Sequence, residues 1–60
     1  MMIPSEPNML LSFINLKLRD QYSSLENMMD DLDLDPVEIS DMLSKAGIIY
    51  DRENNQLKFK

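Results

Sequence analysis

The sequence predicts a mainly α fold: a three-helix, helix-turn-helix-like domain followed by a C-terminal β-hairpin, the order of a minimal winged helix. Two observations predict it. Apolar residues recur every three or four positions in three successive segments, and beyond Gly47, the chain's one glycine, the period changes to two. These elements take up nearly all of the sixty residues, so a single domain over 1–60 is expected.

The first helix, about 7–21, opens at Ser5-Glu6-Pro7, because proline suits a first turn whose backbone donors are unpaired anyway. Its apolar residues Leu16, Met9, Phe13, Leu10, Ile14, Leu18 and Leu11 sweep roughly 220° of a helical wheel, interrupted only by Lys17 and Asp20. A surface helix needs a stripe of little more than ~100°. The excess predicts a helix that is central to the fold or that buries a second face, and it makes Leu11, Phe13, Ile14, Leu16 and Leu18 the candidate self-association surface. The wheel does not say which of them face the protein's own core. Asn8, Ser12, Asn15 and Arg19 form a narrow polar stripe that is either the wet face or a contact for a partner or for the hairpin backbone.

The second helix, about 24–32, is assigned a capping box of Ser23 with Glu26, and Leu25, Met28, Met29 and Leu32 follow at helical spacing. Asp33-Leu34-Asp35 connects it to a third helix, about 36–46, capped by Asp35 with Pro36 first and Glu38 closing the box. Ile39, Met42, Leu43 and Ala46 give that helix its apolar face, and Gly47 ends it in a left-handed conformation, with Ile48 making the accompanying apolar contact. Met29, Asp33, Leu34, Ile39 and Met42 occupy the helix-turn-helix positions. Met29 stands where alanine is usual and Asp33 where glycine is usual, which predicts looser or differently angled packing. The hairpin, about 48–59, alternates through Ile48, Tyr50, Leu57 and Phe59. A Glu53-Asn54 centre opposes Tyr50 to Leu57, and an Asn54-Asn55 centre opposes Tyr50 to Phe59; side-chain parity permits both.

Composition narrows the function. A chain of this size has a small core, ~3 to 5 kcal/mol of margin at most, and commonly needs a disulfide, a metal or self-association to supplement it. There is no cysteine and no histidine. That removes disulfides, thiolate and imidazole ligands, and the commonest general base, so no catalytic, cofactor or metal site is assigned. Asp31, Asp33 and Asp35 alternate as calcium ligands do, but Pro36 stands where such a loop needs glycine and Met42 where it needs a bidentate glutamate. Met28, Met29 and Met42 read as core filling, whereas Met1, Met2 and Met9 are left unassigned. The start of the chain has no basic stretch and carries Pro4 where a secretory signal needs unbroken apolar residues, and no apolar run is long enough to span a bilayer; a cytoplasmic location without membrane partners is expected.

The net charge is −5. Between Ser24 and Ala46 seven carboxylates face Lys45 alone, which argues against nucleic acid in the part that would enter a groove. Arg52, Lys58 and Lys60 make the hairpin the only basic part, and they are the candidate phosphate contacts of the alternative, nucleic-acid-binding reading. The leading expectation is a non-enzymatic protein–protein interaction module that forms a homodimer. A third reading is an acidic regulator that imitates nucleic acid toward a basic protein.

Glu6-Pro7, Leu10-Leu11-Ser12, Asn15, Lys17-Leu18-Arg19-Asp20, Tyr22, Ser24-Leu25, Asp31-Leu32, Gly47, Tyr50 and Asn55-Gln56 together resemble the short bacterial proteins grouped as domain of unknown function 4250, over nearly the whole chain. The sequence departs from that pattern at Leu57, where an aromatic is expected, and at Glu6, where aspartate is common. The resemblance implies a bacterial cytosolic protein and no particular chemistry.

Overall fold

A computed structural model describes residues 3–60; the reading of Met1 and Met2 lies outside the described residues. Three helices, α1 (Pro7–Asp20), α2 (Leu25–Asp31) and α3 (Pro36–Ala46), are followed by the antiparallel hairpin β1 (Ile48–Asp51) and β2 (Gln56–Phe59). The predicted fold class and element order are therefore present.

Each helix starts at a side-chain cap. Glu6 accepts from the Asn8 and Met9 N–H groups at 3.2 and 2.9 Å, with Pro7 next. At α2 the cap is Ser24, not Ser23: the Ser24 hydroxyl accepts from Asn27 N–H at 3.0 Å, while Ser23 holds the Asn27 side chain at 2.8 Å. A residue's extended backbone, not its hydroxyl alone, makes it the cap, and Ser24 has that conformation (φ −157°, ψ 160°). Asp35 caps α3 by accepting from Val37 N–H at 2.9 Å, without the reciprocal bond assigned to Glu38.

The turn between α2 and α3 has a definite mechanism. Leu34 N–H reaches Met29 O at 2.8 Å and Asp33 N–H reaches Asp30 O at 3.3 Å, the paired bonds of a Schellman motif. That motif places Asp33 in the left-handed region at φ 55°, so the residue departing from the usual glycine adopts glycine's conformation. Gly47 does the same after α3, at φ 72°, its N–H shared between Leu43 O and Ser44 O.

The core collects one stripe from every element: Leu10, Ile14 and Leu18 of α1, Leu25, Met28 and Met29 of α2, Ile39 and Leu43 of α3, Ile48 of β1 and Leu57 of β2. Met28 and Met29 fill this core as read, and Met42 is half-buried against it, whereas Met9 is 59% exposed. The hairpin takes the register centred on Glu53-Asn54, opposing Tyr50 to Leu57 and Ile48 to Phe59.

The two left-handed positions give a paired test. A Cβ on Gly47 would meet nothing within 4 Å, so Gly47→Ala should lose only the backbone preference, about 1 kcal/mol. Asp33→Gly should gain up to a similar amount, less the extra freedom it gives the unfolded chain. Urea denaturation monitored by circular dichroism measures both; a multi-kilocalorie loss at Gly47 would refute the backbone account.

Candidate functional site

Asn15 projects from the middle of α1 onto the outer side of β2. Its Nδ2 donates to Leu57 O at 3.0 Å and its Oδ1 accepts from Leu57 N–H at 2.6 Å. A primary amide carries one donor and one acceptor at the spacing of a peptide group, so Asn15 pairs with β2 as another strand would. Of the two roles open to the polar stripe, Asn15 takes the contact with the hairpin backbone. Asn8, Ser12 and Arg19 stay exposed; Asn8 holds Glu6 and Arg19 lies 3.7 Å from Asp20.

A second amide completes the junction. Asn55, held at φ 53°, donates from Nδ2 to Leu18 O at 3.2 Å and Tyr22 O at 3.0 Å, and its Oδ1 accepts from Tyr50 O–H at 2.7 Å. The Tyr50 oxygen accepts in turn from Leu25 N–H at 3.4 Å, and Gln56 reaches Asn15 O at 3.4 Å. Helix α1 has no glycine cap: Lys17 O accepts from the Gln21 and Tyr22 N–H groups, and a hairpin residue more than thirty positions away satisfies Leu18 O in the last turn and Tyr22 O just beyond it. Sequence reasoning missed Asn55, Tyr50 and Gln56 in these roles. The available signal was the absence of a glycine after Asp20, which leaves the later carbonyls of the helix end without the local donors of a glycine cap.

The candidate association surface divides in two. Ile14 and Leu18 are 0% and 3% exposed, inside the protein's own core, which removes them from any interface. Leu11 and Phe13 are half-buried, and Leu16 is 58% exposed beside Met9. The Lys17 ammonium lies 5.6 Å from the Phe13 ring centroid.

Two of the three hairpin cations lie near carboxylates, Arg52 4.0 Å from Glu26 and Lys58 3.9 Å from Asp51; Lys60 is joined to Gly47 O by its backbone N–H at 2.9 Å, a bond that does not involve its charge. Asp51 organises the loop by accepting from Asn54 Nδ2 at 2.7 Å and from the Glu53 and Asn54 N–H groups. The Asn54 side-chain bond, with smaller help from Asn54 N–H, Lys58 and Glu53 N–H and against partial desolvation, holds the Asp51 carboxyl below its ordinary pKa. Tyr22 donates to Asp31 at 2.5 Å, and that bond, followed by desolvation and the Asp31 charge, raises the phenol's pKa. With Asp31 so engaged and Asp35 capping α3, the aspartates of the calcium-like spacing have separate tasks; no group of three or more acidic residues among those described is placed to hold an ion.

No helix among the described residues is long and apolar enough to cross a membrane. A family model described as Domain of unknown function (DUF4250) matches residues 4–57. No curated protein and no solved structure matches the chain.

Two expectations follow. Asn15→Leu leaves Leu57 N–H and C=O without partners in a half-buried place, about 1–3 kcal/mol, which should unfold much of a domain this small; Asn15→Gln should recover less than the wild-type stability, because its longer arm misplaces the amide. Amide exchange at Leu57 and urea midpoints read both. Because the folded pKa of Asp51 is depressed, its contribution is present above the unfolded carboxyl pKa of about 3.9 and is lost as pH falls through the folded value. Asp51→Asn should flatten that part of the acid limb, measured as urea midpoint against pH.

Proposed function

The chain belongs to the DUF4250 family, whose description names no activity, and from that premise we propose that it is a non-enzymatic interaction module that self-associates through the exposed side of α1. The observation that carries this reading is the pair Met9 and Leu16, 59% and 58% exposed and two turns apart on one side of the helix. Phe13 lies half-buried between them, and Ser12 is small and exposed beside it.

Charge favours a second copy as the occupant of this side. The helix has the Glu6 carboxylate at its start and Lys17 and Arg19 in its last turn. Two copies packed antiparallel about a two-fold axis between Ser12 and Phe13 would set Met9 against the other Leu16 and Glu6 against the other Arg19, so one axis satisfies both pairings. The small Ser12 lets the two helices approach closely at the crossing.

The absence of histidine and cysteine supports the non-enzymatic part. Nucleic-acid binding has less support, because Arg52 and Lys58 already face carboxylates and α2 and α3 expose acids on the side that would meet phosphates.

Sedimentation across a concentration series tests the proposal. The wild-type chain should be dimeric at tens of micromolar, and Leu16→Glu, at an exposed site, should be monomeric with unchanged circular dichroism. Wild-type protein that stays monomeric at every concentration would discard it.

A further inference from the structure

The two edges of the hairpin differ: β2 is met at Leu57 by a side chain of α1, and β1 has no such contact among the described residues. Leu57 turns both its N–H and its C=O toward Asn15. A residue in an antiparallel ladder points both groups the same way, so Tyr50↔Leu57 and Ile48↔Phe59 are the pairs without mutual hydrogen bonds. The bond from Lys60 N–H to Gly47 O falls on the alternating pairs, as this pattern requires. The backbone groups of Ile48 and Tyr50 therefore point away from β2, and among the described residues no backbone bond from another segment reaches them.

A groove of about 330 Å³ runs along this edge. Ile48, Ile49 and Tyr50 line it, although their side chains alternate between faces, and Lys60, which follows β2 and donates its backbone N–H to Gly47 O, lines it as well and places a cation by the start of β1. Leu43 of α3 adds an apolar wall, and the small Ser40 and Ser44 leave room above it. Met29 and Pro36 continue the groove into a second one of about 520 Å³, rimmed by Glu26, Asp30 and Asp33.

The acidic rim selects among occupants. A second copy pairing β1 with β1 would bring its own α2 and α3 carboxylates against these, in a chain whose net charge is −5. A cationic segment meets the opposite situation. The Tyr50 end of β1 abuts α2, where the Tyr50 oxygen accepts from Leu25 N–H at 3.4 Å and Arg52 lies 4.0 Å from Glu26. A strand antiparallel to β1 has its N-terminal end there.

We propose that the β1 edge and its groove bind an extended segment of another protein, added as a third strand antiparallel to β1, with apolar side chains at alternate positions and lysines or arginines at its N-terminal end. Backbone bonds to Ile48 and Tyr50 supply the pairing, the groove selects the alternate side chains, and the carboxylates set the direction.

The test uses a blocked synthetic peptide of two lysines followed by alternating valine and threonine, titrated into ¹⁵N-labelled protein, both wild type and the Leu16→Glu variant, so that self-association through α1 is separated from peptide binding. The Ile48 and Tyr50 amides should shift and exchange more slowly. Binding should weaken about tenfold or more in the double variant Glu26→Lys, Asp30→Lys and at high salt. It should also weaken when Ser44→Gln fills the groove, and should vanish for a peptide N-methylated at the amides facing β1. Equal binding by the N-methylated peptide, shifts confined to α1, or no shift at millimolar peptide would each overturn the proposal.

Discussion

The clamp of Asn15 on Leu57 is the contact on which the rest of the molecule depends. A two-stranded hairpin is marginal alone, and this one gains independence by using a helix side chain as a substitute third strand. The clamp orients α1 so that Leu10, Ile14 and Leu18 meet Leu57 and Ile48 across the core. It also fixes which edge is closed. It occupies the outer side of β2 at Leu57, whereas along β1 both Ile48 and Tyr50 turn backbone groups away from the hairpin.

The amides and the phenol of the junction act as one network, since Asn55 ties the end of α1 to Tyr50 and Tyr50 ties the hairpin to the start of α2. Asn15, Tyr22, Tyr50, Asn55 and Gln56 are among the residues that carry the family resemblance, and each makes a hydrogen bond within this architecture. They account for the fold without invoking a ligand, and no buried side-chain polar atom among the described residues lacks a partner. The surfaces left over are of a different character. They are the apolar side of α1 and the groove beside β1, which runs into a second groove rimmed by carboxylates, and that difference in charge is what distinguishes the partners proposed for them.

Much of the fold is legible along the chain because its signals are local. Proline at the first helical position, Asp35 as cap, Gly47 as stop and the change of period at Ile48 each act within a few residues, and each element lies within a residue or two of its expected bounds. The misassigned cap of α2 comes from a local ambiguity: Ser23 and Ser24 carry the same hydroxyl, and only the backbone angles leading out of α1 choose between them. Asp33 shows the reverse case, where a departure from the usual glycine is absorbed because aspartate tolerates the left-handed region.

Composition and periodicity determined the class of fold, the order of its elements, the thinness of its core and the acidity of its helices, since these follow from residue type and spacing. Tertiary structure alone decided the hairpin register, the division of the wide α1 arc into core and surface, and the task of Asn15. A helical wheel records direction around one axis but not what lies in that direction, and parity permits two registers equally. Both were settled by contacts between α1 and β2, segments some forty residues apart, whose meeting no local pattern encodes.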